Sequence, residues 1–569
     1  MAEFFQRPRK IRKTDYLIGL LAVFALILLM IENSEYLSAY AWLIRYLNIS
    51  VLFIFVFDVV ARFLVCPNKR NHLKANWFDL IVFVPLLQFV QGLEMTPFFI
   101  IARQVVIITM LVSRARRANK LISMLSFRPA QLMLSSFAFA IAIGTVLLML
   151  PAATVSGVRT PLLDALFTAT SAVCVTGLIV RDTATYFSRF GQLVILSLIQ
   201  VGGLGIMTFS VSLALLLRKR FDMKQQMEMR DVLDPDQTTN VKKFVLFIFK
   251  MTFLLEAFGA LFLFLIWRPH FNNLFTAGYH AIFHSVSAFC NAGFSTFSDS
   301  LMGFKYDWGT NIVIGILVIS GGIGFMVISD IFQRLKSMFI RGRVRKHKTK
   351  VQTKIVIITS TLLVIFGALL LFSLDYGRSF AGVTLGNKVT LSLFQSLTAR
   401  TAGFNTWDIG TMSSASLLIM MLLMFIGASP GSTGGGIKTT TFSVLWAVLA
   451  SSAKRKENVE MFKRTIPEEI IKKAMILVFS SLAIIFVFTV GLLYVENQLF
   501  IRVLFEVVSA FGTVGLSTGI TPLLSMPGKS MLTVLMFIGR LGPLTIGYAF
   551  AGRRNAPKYT YAEERVMIG

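Results

Sequence analysis

Four stretches of this sequence read alike. Phe167 to Leu178 runs Phe-Thr-Ala-Thr-Ser-Ala-Val-Cys-Val-Thr-Gly-Leu, and Phe283 to Phe294 runs Phe-His-Ser-Val-Ser-Ala-Phe-Cys-Asn-Ala-Gly-Phe. Phe394 to Phe404, Phe-Gln-Ser-Leu-Thr-Ala-Arg-Thr-Ala-Gly-Phe, is one residue shorter, and Phe505 to Leu516 runs Phe-Glu-Val-Val-Ser-Ala-Phe-Gly-Thr-Val-Gly-Leu. Their glycines, Gly177, Gly293, Gly403 and Gly515, recur at intervals of roughly 110 residues. These motifs contain no ring of acids. What they offer is backbone. A filter for a dehydrated cation replaces water with carbonyl oxygens. Aiming successive carbonyls at one axis requires positive φ, which glycine adopts at little cost.

Each motif sits in a unit of the same order: an apolar span, a short apolar piece, the glycine motif, a polar stretch and a second span. The short piece, about 10–12 residues, cannot cross a bilayer, so it must dip in and return on the same side. Non-helical backbone at membrane depth is tolerated only where it lines a protein-enclosed or water-filled cavity. Four such loops in one chain can surround a single axis. The C-terminal partial negative charge of each short helix would favour a cation there. The pattern predicts an all-α integral membrane fold with four helix–pore loop–helix repeats around one pore. The repeats fall at about 126–235, 236–350, 351–465 and 466–569, after an N-terminal four-helix membrane module at 1–125.

Composition agrees. Hydrophobic residues make up 55% of the 569 and charged residues only 15%, against about 25% charged in a soluble domain. Twelve spans are expected, beginning near Tyr16, Leu43, Trp77, Pro97, Leu132, Gly191, Phe244, Asn311, Ile355, Leu417, Met475 and Met531. The net charge of +28 would suggest nucleic acid in a soluble protein. Here the basic residues cluster between spans, at the N-terminus, Lys69-Arg70, Arg114 to Arg117, Arg218 to Arg220, Arg341 to Lys354, Lys454 to Lys456 and Arg553-Arg554. Every cluster falls on the cytoplasmic side of a consistent alternation, which puts both termini inside. The first apolar run is read as an uncleaved span, because polar residues separate it from the cleavage-like Ala39-Tyr40-Ala41. The three cysteines exclude a disulfide framework.

The third unit's second span is interrupted by Gly427-Ala-Ser-Pro-Gly-Ser-Thr-Gly-Gly-Gly436, followed by Ile437-Lys438. Five glycines and a proline cannot hold a helix. A phosphate-binding loop is rejected, because no strand precedes it and the Walker spacing is absent. The loop is expected across the cavity beneath the filter, with Lys438 and the intramembrane Arg540 as a positive barrier. Charges at membrane depth face the interior or a partner, so Glu256 is expected to have one. Cys174 and Cys290 are expected near the pore. Asp182, Asp299 and Asp408 follow their glycines and either attract cations at the outer mouth or are solvated loop carboxylates.

Together the four motifs resemble the pore-forming membrane subunits of the Trk/Ktr/HKT superfamily of bacterial potassium transporters, over Leu132 to Gly569. The tail Tyr561 to Gly569 is also similar to that family's C-terminus. The resemblance implies a K⁺ filter at Val175, Thr176 and Gly177; Asn291, Ala292 and Gly293; Thr401, Ala402 and Gly403; and Thr513, Val514 and Gly515. Glycine at all four positions implies potassium over sodium. The family's intramembrane loop is a gate, which assigns that role to Gly427, Pro430, Gly431, Gly434, Gly435 and Gly436, with Lys438 and Arg540. Arg400 replaces the longer filter flank of the other units and is expected to buttress the loop. The resemblance further implies K⁺ as transported ion and no cofactor in this chain. It implies a homodimer in the inner (plasma) membrane, contacts with membrane lipid, no nucleic acid, and a cytosolic RCK-type nucleotide-binding regulatory subunit. The activity implied is K⁺ uptake through a gated, channel-like pore. The alternative is a Na⁺- or H⁺-coupled cation symporter of the same superfamily; a secondary transporter with rocking inverted repeats is disfavoured by four parallel units and a single broken helix, and a membrane enzyme by the want of a polar catalytic cluster. No catalytic residues are expected; HExxH, GxSxG and a metal-binding histidine pattern are all missing. In the N-terminal module, Asp58, Arg62 and Trp77-Phe78-Asp79 resemble a voltage-sensor-like bundle. Arg103 stands alone where a sensor needs several spaced arginines, which favours a scaffolding role.

Overall fold

The computed structural model describes residues 129–216, 241–339 and 349–550, with isolated positions 50, 53, 54, 56, 57, 59, 60, 63 and 564. The chain divides into two compact units, Met1–Phe127 with Ala214–Arg220, and Arg128–Leu213 with Phe221–Gly569. The four N-terminal spans apart from those isolated positions of the second, the C-terminal tail apart from Glu564, and every basic cluster except Lys454 to Lys456 and part of Arg341 to Lys354 lie outside the described residues.

The second unit carries four variations on one theme. The first repeat comprises α1 (Pro129–Leu148), α2 (Leu162–Val173) and α3 (Arg189–Leu216). The second has α4 (Val241–Trp267), α5 (Leu274–Phe289), α6 (Trp308–Ile323) and α7 (Phe325–Phe339). The third has α8 (Val351–Asp375), α9 (Leu385–Thr398), α10 (Ser414–Phe425) and α11 (Thr439–Ala453), followed by a hairpin of β1 (Glu460–Met461) and β2 (Arg464–Thr465). The fourth has α12 (Glu468–Val495), α13 (Phe500–Gly512), α14 (Met526–Leu541) and α15 (Pro543–Phe550).

Length sorts these helices. The 25 residues of α8 rise about 37 Å, enough for a hydrocarbon core of about 30 Å. The 12 residues of α2 rise only about 18 Å. Burial sorts them the same way. The leading phenylalanines of the short helices, Phe167, Phe283 and Phe505, are fully buried and Phe394 nearly so. The first spans instead expose apolar side chains, such as Phe479, Phe486 and Val487 on α12. A surface of that kind needs lipid as its solvent. The short helices therefore form the core and the long ones the wall.

The second spans correct the expectation of a single broken helix. α6 and α7 meet at 101° and α14 and α15 at 91°, and α10 and α11 are separated by the glycine-rich loop. Three of the four second spans are thus interrupted among the described residues. The bends sit at Gly324 (φ 98°) and Gly542 (φ 84°), a region closed to most side chains. Pro543, which lacks an N–H, then begins α15 as proline favours the first helical turn.

Second spans approach short helices closely enough that only glycine fits. A Cβ on Gly202 of α3, Gly321 of α6 or Gly539 of α14 would overlap the carbonyl oxygen of Val173, Phe289 or Phe511 respectively. Each carbonyl belongs to the end of the short helix in the same repeat. Gly321→Ala is expected to destabilise the detergent-purified protein by roughly 1–3 kcal/mol through overpacking. Gly547→Ala, on an exposed helical position with nothing near its would-be Cβ, should be neutral or stabilising by up to about 1 kcal/mol. Thermal unfolding of the two variants side by side checks this.

Candidate functional site

The ends of three of the four short helices are built by one hydrogen-bond pattern. In the first repeat Val175 N donates to Ala172 O (3.1 Å) and Thr176 N to Ser171 O (2.8 Å). Asn291 to Ala288 and Ala292 to Ser287 repeat this at 3.0 and 2.8 Å, and Thr513 to Ala510 and Val514 to Ser509 at 3.2 and 2.9 Å. This is the Schellman closure, which places one residue in the left-handed region and is usually met by glycine. Here the left-handed residues are Val175 (φ 55°), Asn291 (58°), Thr401 (72°) and Thr513 (49°). Three are β-branched, for which such a backbone costs about 1–2 kcal/mol each. The third repeat, one residue shorter, closes with Ala402 N to Thr398 O at 3.0 Å.

The glycine two positions later is also left-handed in every repeat: Gly177 (φ 92°), Gly293 (69°), Gly403 (79°) and Gly515 (92°). The residue between has its carbonyl against the glycine of the neighbouring repeat. A Cβ on Gly177 would overlap Ala292 O, and one on Gly293 would lie 2.9 Å from Ala402 O. On Gly403 it would overlap Val514 O, and on Gly515 it would overlap Thr176 O. The fourth contact returns to the first repeat, so the ring is closed. The twelve residues named from the sequence are brought together around it.

The glycine-rich loop lies against this ring. Gly434 packs on the Thr401 side chain and Gly435 on that of Thr513. The Thr401 and Thr513 hydroxyls are buried and have no hydrogen-bond partner among the described residues. At one end the loop docks on the α6–α7 bend, through Ser429 N to Gly322 O (3.0 Å), Thr433 N to Gly321 O (3.2 Å) and Phe325 N to Gly431 O (2.9 Å). On the other face of the same peptide stretch, Arg540 donates to Thr433 O, and to Gly202 O at 2.7 Å. Lys438 Nζ donates to Gly434 O at 2.8 Å. Pro430 contributes its carbonyl, against which Gly324 is packed. Arg400 reaches Ser360 Oγ (3.2 Å) and Gly427 O (3.4 Å), tying the loop's first residue to α8.

Other expectations separate here. Glu256 meets an amide instead of a cation: Gln200 Nε2 donates to it at 3.2 Å. Cys290 is buried, its Sγ packed against Gly203 and 3.6 Å from Gln200 Oε1, so the thiol faces α3 and α4. Asp182 accepts from Ser298 Oγ (2.7 Å) and Thr185 Oγ1 (2.7 Å), and Asp408 caps a turn through Gly410 N (2.9 Å). Both are used in loop structure. An ion triad escaped the sequence reading. Asp164, opening α2, accepts from Arg181 at 2.8 Å and from Lys529 of α14 at 2.9 Å, joining the first and fourth repeats. An acid in the first turn of a short helix was its only signal.

The TrkH family of cation transport proteins matches residues 99–559. The Ktr system potassium uptake protein B of Bacillus subtilis is 40% identical over 79% of this chain and 99% of its own length. The Vibrio alginolyticus protein of the same description is 39% identical over 77% of this chain and 94% of its own. The crystal structure of the potassium transporter TrkH from Vibrio parahaemolyticus superposes with a TM-score of 0.62 at 18% identity, covering 84% of this chain and 96% of that one.

The burial of Cys290 makes a chemical prediction. A small external methanethiosulfonate should leave ion flux unchanged, because the sulfur is walled off by α3 and α4. Block of flux, relieved by Cys290→Ala, would place the thiol on the ion path instead.

Proposed function

The chain belongs to the TrkH family of cation transport proteins, and from that premise we propose that it takes up K⁺ through a gated pore whose selectivity filter is the four-glycine ring. The observation that carries this reading is the closure of the ring. Four carbonyls, of Thr176, Ala292, Ala402 and Val514, each lie against the glycine of the preceding repeat around the ring, which puts oxygen ligands around one axis without any acidic side chain. Carbonyls substitute for the water an entering ion sheds. The Thr401 and Thr513 hydroxyls, buried without partners among the described residues, are available to an ion or its water just inside the ring. An unpartnered buried hydroxyl otherwise costs about 1–3 kcal/mol.

The glycine-rich loop is the gate in this reading. It lies on the filter threonines and is held by three backbone hydrogen bonds to the α6–α7 bend and by the side chains of Arg540, Lys438 and Arg400. Arg540, buried, and Lys438, half-buried, add an electrostatic penalty of a few kcal/mol beside the path at an effective dielectric of about 20. Ion flux then depends on moving the loop. The force for that movement comes from a cytosolic RCK-type regulatory subunit that carries the nucleotide, docking on the basic loops. The protein works as a homodimer in the inner membrane, with both termini cytoplasmic, and its first four helices serve as a scaffold.

Gly177→Ser, Gly293→Ser, Gly403→Ser and Gly515→Ser each put a side chain onto a neighbouring carbonyl or backbone. Each should lower discrimination of K⁺ over Na⁺ at least about tenfold, or ~1.4 kcal/mol, in rubidium flux with competing Na⁺. Four variants with wild-type discrimination would refute the filter. Shortening the 427–436 loop should raise rubidium uptake in vesicles and reduce its dependence on the regulator, and Arg540→Ala should act in the same direction more weakly. A folded loop deletion with no flux would show that the segment supports the pore and does not close it.

A further inference from the structure

The fourfold repeat allows equivalent positions to be compared within one chain, and the fourth repeat is tethered differently from the rest. In the first three, the hydroxyl residue of the Ser/Thr-Ala pair ties the short helix to the filter strand. Ser171 Oγ accepts from Gly177 N at 3.1 Å, Ser287 Oγ donates to Phe294 O at 2.7 Å, and Thr398 Oγ1 donates to Phe404 O at 2.8 Å. The equivalent Ser509 Oγ is buried and makes no hydrogen bond among the described residues. The fourth strand therefore lacks the tether the others share.

Another side chain stands in its place. The position after the leading phenylalanine is Thr168, His284, Gln395 and Glu506 in the four repeats, and all are buried. Among the described residues Thr168 bonds only within its own helix, to Asp164 O at 2.8 Å. His284 Nε2 meets Ser295 Oγ at 2.9 Å, and Gln395 Nε2 reaches Trp407 O at 3.5 Å. Glu506 makes many more contacts. Its Oε1 accepts from Ser517 Oγ (2.7 Å), Thr518 N (2.8 Å) and Thr518 Oγ1 (3.2 Å), and its Oε2 from Thr521 Oγ1 (2.7 Å). Ser517 lies two residues beyond Gly515. All four donors belong to the strand leaving the ring, and bonds to a carboxylate are shorter and stronger than those between neutral groups.

We propose that Glu506 is the positioning residue of the fourth filter strand, holding Thr513, Val514 and Gly515 in the ring and so helping to set which cation passes. The proposal rests on the filter reading, and its mechanism is mechanical: the tether fixes the strand that carries the Val514 carbonyl. The hydroxyl that does this work in the other repeats is idle here, which leaves the fourth strand dependent on one carboxylate.

The test measures rubidium flux against competing Na⁺ in vesicles. Glu506→Ala is expected to lower discrimination about tenfold. Glu506→Gln should stay within about threefold of wild type, since its amide oxygen can keep the Ser517 and Thr518 bonds while its N–H donates to Thr521. Thr168→Ala should behave as wild type. Ser517→Ala with Thr521→Val removes two of the four donors from the other end and should lower discrimination about threefold or more, which covers the case of Glu506→Ala failing to fold. Gly515→Ser is measured alongside. If it loses discrimination while Glu506→Ala or the double variant keeps it, the proposal falls and the filter stands. If Gly515→Ser also keeps it, the filter reading fails first. Equal losses in Glu506→Gln and Glu506→Ala overturn the proposal as well, because charge and not tethering would then set the discrimination.

Discussion

One backbone contact made four times governs the architecture of this pore. Each of the four ring glycines lies so close to the carbonyl and backbone of the next repeat that no side chain fits between them. Closing that ring fixes where the four short helices must end, and their ends fix how close the second spans come. The glycines of α3, α6 and α14 pressed onto helix-end carbonyls are the second layer of the same constraint. Interiors packed this tightly are not continuously deformable. The ring is therefore a rigid part, and control has to act elsewhere.

The backbone of the ring is strained by construction. Each short helix closes on a left-handed residue, by the Schellman pattern in the first, second and fourth repeats, and three of the four residues are β-branched. A glycine there would relieve strain but would add freedom at the point where carbonyl positions matter most. Such strain persists only where surrounding structure over-determines it. The leading phenylalanines, the hydroxyl tethers and the Asp164–Lys529–Arg181 triad supply that support. The glycine-rich loop is the opposite kind of element. It is held by a few backbone hydrogen bonds to the α6–α7 bend and by the side chains of Arg540, Lys438 and Arg400.

Much of this was legible in the residues. The four motifs, the units around them, the glycines with positive φ and the placement of the 427–436 loop beneath the ring follow from period, hydropathy and the demands of backbone in lipid. The role of Arg400 followed from a missing residue. Other features were hidden for physical reasons. The bend at Gly324 has no local signature beyond glycines that also serve close packing. The left-handed Val175 runs against its own propensity. The direction of the Cys290 thiol depends on Gly203, far away in sequence. Asp164 and Lys529 are separated by 365 residues, and their pairing exists only once the first and fourth repeats meet.

The central claim is that a dehydrated cation sits on the axis of the ring. Anomalous diffraction from crystals of the protein grown in rubidium tests it most directly. The account predicts an anomalous peak on the axis, at the level of the Thr176, Ala292, Ala402 and Val514 carbonyls and within coordination distance of all four. A well-ordered ring with no peak inside it, and rubidium bound only elsewhere in the protein, would contradict it.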